Sequence, residues 1–580
     1  MARRTVADQF VEILISAGVR HMYGVIGDSL NPVTDSIRRH DGIDWVHVRH
    51  EESGAFAAGA EAQITGQLSS CAGSAGPGHV HLVNGLYDAH RSMAPVVALA
   101  AHIPSTELGT GYFQETNPAQ LFADCSYYQG VVTKPEQMPR VAQTAVQESL
   151  GRGGVSVVAL PGDVAGEPAS GAYLEHTYRL GQRPAARPAE AVIEEFAGLV
   201  DRARRVTLFC GRGVAGAHDD VIALAAKLKA PIGHALRGKD WIQYDNPYDV
   251  GMNGLLGYGA CYEAMQECDL LIMLGTDFPY VQFMPTKPTV VQVDVARERL
   301  GRRSRLDLGV WGDAGETVRA LLPRVAEKTD RAFLDRMLRR HRELMERVHA
   351  YAHGVEGRRP IHPEQVASTL DAVADDDAIF TVDTGMCNVW AARMIRATAG
   401  RRMLGSFNHG SMANALPQSI GAQLPDRDRQ VVAMCGDGGF AMLMGEFLTL
   451  LQYDLPVKIV VFDNGSLAMV ELEMLVAGLQ PYQTQLKNPD FAAVARAAGA
   501  NGIRVEDPGD VRDGLREALV RPGPALVDVV TDPNALSIPP KITADQVKGF
   551  GIAFSKIVLS GDLDAALEMA RSNIRNLPRP

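Results

Sequence analysis

Asp437 and Asn464 are the residues whose types and spacing first suggest chemistry. Asp437 stands in Gly436-Asp437-Gly438-Gly439, just after the apolar run Val431–Met434. Asn464 stands in Asp463-Asn464-Gly465-Ser466, just after the apolar run Val457–Phe462. Both runs have the length and β-branching of buried strands, and the stretch between them reads as a helix to about Tyr453. Such a strand–turn–helix–strand–turn unit brings its two turns together at the carboxyl ends of neighbouring parallel strands, where open α/β sheets bind ligands. A carboxylate, an amide oxygen and a backbone carbonyl, with Ser466 as the third position, suit Mg2+ carrying a diphosphate. Gly436, Gly438 and Gly439 keep side chains out of the turn, and the helix after Gly438 offers free N–H groups to the same anion. Either turn alone is an ordinary βα turn, because Asp-Gly and Asn-Gly are common turn dipeptides. The pair at this spacing is what points to a diphosphate.

The elements that would position these residues follow an α/β rhythm along the whole chain. In residues 1–180, Val6–Ser16 predicts a helix, Met22–Ile26 a strand and Ser29–Arg38 a helix after Gly27-Asp28. A strand over Trp45–Val48 ends at Glu51, and a helix rich in small residues follows it. The turn Ser74–Gly78, containing Gly76, comes after the strand Leu68–Ala72. Glu51 has two readings at this level: a solvated charge at a helix N-terminus, or a partly desolvated acid that shares a proton with a weak base. A polar Gly/Pro-rich loop over 167–188 marks a boundary.

Residues 190–335 form a second α/β unit. The strand Val206–Cys210 runs into Gly211-Arg212-Gly213-Val214-Ala215-Gly216, which satisfies the dinucleotide pattern G-x-G-x-x-G. No acidic residue about twenty positions on follows a second strand, so an NAD site fits poorly. The strand ends at Gly275-Thr276 and Asp294, and the segment His234–Gly238 with Arg237, are suited to another nucleotide. The third unit, 355–538, follows a charged helix over Asp330–Val355 and carries both diphosphate turns. Beyond Pro539-Pro540, residues 541–580 hold six Lys or Arg against four Asp or Glu, a local net of +2. Phe550, Phe554, Ile557 and Val558 share one helical face, flanked by Lys548 and Lys556, as in an amphipathic helix lying in a bilayer interface.

Composition bounds the rest. With 46% hydrophobic residues, 57 Gly and 32 Pro, the 580-residue chain can bury several cores in turn-rich α/β domains. Its net charge of −11 argues against a nucleic-acid surface. The seven cysteines are scattered without a CxxC pair, as reduced core thiols would be. No apolar core of a signal peptide follows Met1, and no apolar run reaches the ~20 residues of a membrane span. A cytoplasmic protein that touches a membrane peripherally is expected.

Five stretches in order, RHEESGAFAAGAEAQ, AAHIPSTELGTGYFQET, HALRGKDWIQYDNPYDVGM, LLGSFNHGSMANALPQ and VVAMCGDGGFAMLMGEF, carry a resemblance over nearly the whole chain. It is to the flavin-dependent pyruvate oxidase family, and within it to the membrane-associated, quinone-reducing branch. The resemblance implies three doubly wound parallel-sheet domains: pyrimidine-binding, FAD-binding and diphosphate-binding. It implies thiamine diphosphate, Mg2+ and FAD as cofactors, and a homotetramer in which two chains share each thiamine site. The implied reaction is oxidative decarboxylation of pyruvate to acetate and CO2, electrons passing to FAD and then to a membrane quinone. An acetolactate synthase or an oxygen-using oxidase is the nearest alternative, and a noncatalytic nucleotide-binding protein on the same fold is the distant one. By the same resemblance Glu51 hydrogen-bonds the aminopyrimidine, while Phe113, Gln114 and Glu473 approach the thiazolium and the substrate. Gly27, Asp28, Gly76 and Met412 hold thiamine diphosphate, Met412 as an apolar wedge. Gly211, Gly213, His234, Arg237, Gly275, Thr276 and Asp294 hold FAD. The tail binds an anionic lipid surface when the flavin is reduced and covers the active-site mouth at rest. Asp463 stands where relatives have a second asparagine, and Met469 where they often have phenylalanine.

Overall fold

Short apolar runs that could not complete a helix build three separate sheets in the computed structural model, which describes residues 4–170, 185–353, 359–535 and Ser572. The first sheet holds β1 (His21–Gly24), β2 (Asp44–His47), β3 (Ser69–Gly73), β4 (Val96–His102), β5 (Tyr128–Val131) and β6 (Val155–Pro161) in the order β2-β1-β3-β4-β6-β5. The second holds β7 (Val206–Cys210), β8 (Ile232–His234), β9 (Asp249–Met252), β10 (Tyr258–Gly259), β11 (Leu270–Leu274), β12 (Thr289–Asp294) and β13 (Leu308–Trp311) in the order β10-β9-β8-β7-β11-β12-β13. The third holds β14 (Ile379–Val382), β15 (Arg402–Gly405), β16 (Val431–Gly436), β17 (Lys458–Asp463), β18 (Asn501–Val505) and β19 (Ala525–Val530) in the order β15-β14-β16-β17-β19-β18. All pairings among these strands are parallel except β9 with β10, so the fold is three parallel-sheet α/β domains with one antiparallel edge. Helices cover both faces, which is why β4 and β6 are buried at every residue.

Several boundaries differ from the sequence reading. The strand β1 stops at Gly24, and Ile26 is exposed, because the chain turns out of the sheet before it. Asp437 is not in a free turn: it opens the helix Asp437–Met442 directly at the end of β16. The single helix expected to Tyr453 is broken at Leu443 (φ −123°), followed by a tight turn Met444–Glu446 and a second helix Phe447–Gln452. Asp463 belongs to β17 rather than to the turn after it. The loop expected over 167–188 lies partly, and the tail 541–580 apart from Ser572, outside the described residues.

The first and third domains share a core. The helix Glu51–Thr65 is buried on almost every side because its small residues let neighbours approach, and one apolar cluster unites Ala57, Ala60 and Leu86 with Leu416, Ile420 and Phe440. The helix Ala415–Gln423 lies so close against it that a Cβ on Gly421 would collide with the Ala57 carbonyl. Gly421→Ala is therefore expected to destabilise the protein by about 2 kcal/mol through overpacking. Urea unfolding checks this, and an unchanged midpoint would refute the tight fit.

Candidate active site

The metal-type residues come together as the spacing required. Because β16 and β17 pair in parallel, with Gly436 beside Phe462, Asp437 and Asn464 leave adjacent strand ends. Both line one cleft, with Ser466, Gly436, Gly438, Gly439 and Met412. The Asp437 carboxylate is buried; its Oδ1 accepts from Gly438 N–H (2.8 Å), and its Oδ2 from Gly465 N–H and Asn488 Nδ2, both at 2.7 Å. Burial pushes its carboxyl up to about 6, aided by the nearby Asp463 charge and opposed by these hydrogen bonds. Asn464 turns its Oδ1 to Ser466 N–H (3.0 Å).

Asn488 was missed by the sequence reading, since it sits far along the chain in an ordinary Asn-Pro turn. It donates to both Asp437 and Asp463 (2.7 Å each) and so joins two carboxylates that would otherwise repel. Asp463 faces away from the cleft: its other oxygen lies 3.7 Å from the Arg504 guanidinium, which also binds Asp528 at 2.6 Å. The extra negative charge flagged by the sequence is thus held by Arg504.

The cleft fits a diphosphate with Mg2+. A Cβ on Gly385 would meet nothing within 4 Å, and one on Gly436 only the Cys387 sulfur at 4.0 Å, so its floor is bare backbone. Gly385 also opens the helix Met386–Met394, whose first N–H groups lack helical acceptors. Met412 rests over Gly438, its Cε 3.5 Å from where a Cβ would be. Met469 and Val470 line the opposite wall, whereas Glu473 is exposed and outside the cleft.

A second constellation lies in the first domain. Glu51 begins its helix, nearly buried, with His81 Nδ1 at 3.0 Å from Oε2 and the His50 ring stacked on His81. A Cβ on Gly78 would stand 3.3 Å from Glu51 Oε1, and one on Gly76 (φ +67°) would press on Gln114 at 2.8 Å. Gly27 packs against Ser74, while Asp28 is exposed and its carboxylate accepts Ser29 N–H (2.7 Å). Gln114 itself has φ +64°, a strained conformation for a residue with a side chain. Its loop is clamped by Glu115, which accepts from the N–H groups of Gly109, Gly111 and Tyr112 and leaves Phe113 78% exposed. None of Glu51, Gly27, Gly76, Phe113 and Gln114 lines the cleft around Asp437. One chain therefore carries two half-sites, one around Asp437 and one around Glu51, and no residue of the second lines the cleft of the first.

The middle domain reverses its strand order between β7 and β11, the place where doubly wound sheets bind nucleotides. Gly211 and Gly213 follow β7, and the space of their missing side chains is taken up by Gly275 and Thr276, with the Gly275 carbonyl accepting Gly213 N–H (3.0 Å). These glycines join two loops rather than open a groove. His234 is buried, its Nε2 without a hydrogen-bond partner among the described residues and 4.0 Å from Asp249, and burial lowers it to about 4. Asp294 holds Ala296 N–H (2.8 Å) at the end of β12, and burial raises its carboxyl. The decisive feature is cationic. Arg237 and Arg212 both donate to the Ser92 carbonyl, at 3.0 and 3.3 Å, with Arg299 close enough to repel Arg237. Burial and these neighbours lower Arg237 to about 9. Half-buried guanidinium groups that crowd one another, with only Asp88 and Asp240 acting against that repulsion at Arg237, fit a nucleotide diphosphate.

Comparison with known proteins agrees with this layout. Three family models match: the N-terminal thiamine pyrophosphate binding domain over residues 4–121, the central domain over 193–321, and the C-terminal thiamine pyrophosphate binding domain over 383–529. The putative thiamine pyrophosphate-containing protein YdaP of Bacillus subtilis is 35% identical across 95% of both chains. The chain belongs to the thiamine pyrophosphate enzyme family. Other relatives include the pyruvate oxidase of Lactiplantibacillus plantarum, 29% identical over 90% of this chain and 87% of its own. The acetolactate synthase large subunit of Parasynechococcus marenigrum is 30% identical over the same shares. The thiamine pyrophosphate binding domains are the two that carry the half-sites. No helix among the described residues is long and apolar enough to cross a membrane.

His79 ties the Glu51 half-site to the Phe113–Gln114 loop: Nδ1 donates to the Ala101 carbonyl (2.9 Å) and Nε2 meets the Thr116 hydroxyl. Burial lowers its imidazole from 6.5 to about 4. Because the folded form disfavours the proton, stability is full above 6.5 and is lost as pH falls toward 4. Between neutral pH and pH 5 this costs about 2 kcal/mol. In His79→Gln the pH dependence of unfolding should shrink by that amount in urea titrations; an unchanged dependence would contradict the assignment.

Proposed function

We propose that the protein oxidatively decarboxylates pyruvate to acetate and CO2, using thiamine diphosphate, Mg2+ and FAD, and passes the electrons to a membrane quinone. Pyruvate and water give acetate, CO2, two protons and two electrons, and the quinone takes up both electrons and both protons. The observation that supports the redox part is the half-buried arginine cluster at the switch point of the middle sheet, in the domain that holds neither half-site, where an anion would be favoured. The pyruvate oxidase relative agrees with it.

Bound at the half-sites, thiamine diphosphate would supply an acidic carbon that adds to the keto group and holds the electrons left when CO2 departs, and FAD would supply their acceptor. Asp437, Asn464 and Ser466 would hold Mg2+, and the backbone from Gly385 and the helix opening at Asp437 would hold the diphosphate. Glu51 would hold and return a proton at the pyrimidine, its carboxylate kept in place by His81 at 3.0 Å. Met412 over Gly438 would support the bent cofactor, and Val470 would exclude water beside the substrate. Phe113 and Gln114 would reach the substrate only across a subunit boundary.

That boundary follows from the split site. Both half-sites carry exposed apolar side chains, Ile26, Val80 and Phe113 on one and Met442, Val470 and Tyr482 on the other. A second copy that brings unlike halves together would bury them, and a homotetramer of two such pairs is the assembly proposed. In the tail, Ser572 is buried and its hydroxyl donates to Asp532 (2.6 Å), a residue of the cleft wall. This supports a resting tail at the cleft mouth, released to an anionic lipid surface on the cytoplasmic side of the membrane.

The purified protein should show a flavin spectrum that anaerobic pyruvate bleaches and added quinone restores, with acetate as product. Acetolactate as the product would replace this reading with that of a synthase, and a flavin-free protein would end the redox proposal. Asp437→Ala should weaken thiamine diphosphate and Mg2+ together by at least tenfold in titrations while flavin content stays constant. Normal cofactor binding would remove Asp437 from the site.

A further inference from the structure

Glu446 lies in the third domain, in the turn that breaks the expected long helix, and its side chain is almost completely buried. It does not serve its own domain alone. Its Oε1 accepts from the backbone N–H groups of Arg49 and His50 in the first domain, both at 2.9 Å. Its Oε2 accepts from the Thr449 hydroxyl at 2.7 Å, which sets the carboxylate plane. Arg49 and His50 are the last residues before Glu51, and His50 caps the helix that Glu51 begins. The Tyr453 hydroxyl, on the same stretch, takes the His47 N–H at 2.7 Å, so the third domain holds this connection at two points.

We infer that Glu446 is a positioning residue for Glu51, a carboxylate of one domain that fixes the backbone from which the proton-sharing group of another is presented. The helix break at Leu443 is what makes this reach available, since a continuous helix from Asp437 would carry residue 446 on a different heading. The turn before Glu51 is left with two N–H groups at a helix N-terminus, where an anionic acceptor binds most firmly. Glu446 follows Asp437 by nine residues, so one short stretch of the third domain carries Asp437 of the metal half-site at one end and the support of the Glu51 half-site of the same chain at the other. This inference rests on the reading of Glu51 as the group that shares a proton with the pyrimidine.

The test uses the full-length protein saturated with thiamine diphosphate and Mg2+, and reads exchange of the thiazolium C2 proton with deuterated water by quenched-flow NMR. Glu51→Gln is the reference. Glu446→Ala should slow exchange at least tenfold while thiamine diphosphate affinity stays within about threefold, because the diphosphate half-site is untouched. Glu446→Gln, which keeps an acceptor oxygen for Arg49 and His50, should recover most of the rate. Thr449→Val, which loosens the same carboxylate, should slow exchange severalfold and decides the matter if Glu446→Ala does not fold. Wild-type exchange in both Glu446→Ala and Thr449→Val would overturn the inference, as would a loss in Glu446→Ala that tracks cofactor affinity alone. Wild-type exchange in Glu51→Gln would instead overturn the reading of Glu51 itself.

Discussion

The site depends on keeping the Asp437 carboxylate buried yet able to carry charge. Burial alone favours the neutral acid, and the neighbouring Asp463 adds to that pressure. The third sheet answers with a row of alternating partners laid across adjacent strands. Asp437 follows β16, Asp463 ends β17, Asp528 sits in β19 and Arg504 in β18, with Arg504 registered beside Asp528. Asn488 bridges the first pair and Arg504 the second. One guanidinium cannot neutralise three carboxylates, and a divalent cation at the open end of the row would complete it. Parallel pairing is what permits this, because it puts every strand end of the row on the same edge.

A different constraint governs the first domain. Glu51 is useful only if it is withdrawn from water and still open on one side, and the small residues of its helix allow both. They admit the helix Ala415–Gln423 against the back of Glu51–Thr65, so the third domain of the same chain covers that face. The front is left to the Gly76–Gly78 turn and the strained Gln114 loop. Intrachain packing thus covers that face of the Glu51 helix with the chain's own third domain. Exposed apolar residues stand beside each half, Phe113 and Val80 on one and Met442 and Val470 on the other, and the assembly proposed above would cover them.

How much of this the sequence revealed followed the range of each interaction. Asp437 and Asn464 were legible because two strands and one crossover fix their separation, and the three-sheet architecture because each strand is a local apolar run. Asp463 was legible as an anomaly but not as a solution, since Arg504 reaches it only through strand order. Asn488 and Arg299 carried no signal, because an Asn-Pro turn and an arginine in a polar loop are common and their partners are distant in sequence. The helix break at Leu443 was hidden by an apolar pattern that continues through it. In the middle domain Gly211 and Gly213 matched a nucleotide pattern, and the structure shows a second demand on them, the close approach of two loops.

The arginines that the pattern surrounded are more informative than its glycines. Arg212 and Arg237 spend hydrogen bonds on Ser92, a carbonyl of the first domain, and Arg299 reaches Met93 beside it. Two residues beyond Arg237, Lys239 donates to the Ala392 carbonyl of the third domain, and Asp240 accepts Met403 N–H at 2.8 Å. One short segment, 237–240, therefore touches all three domains. Arg237 in it is repelled by Arg212 and Arg299, with Asp88 and Asp240 as the nearby compensating charges. An anion bound among these arginines would relieve that repulsion only while the domains are docked as they are here, since the first domain supplies one wall. Binding to the docked arrangement alone stabilises it by mass action. A nucleotide held there would thus be thermodynamically tied to the packing that positions Glu51 and Asp437, although these arginines share no side chain with either half-site.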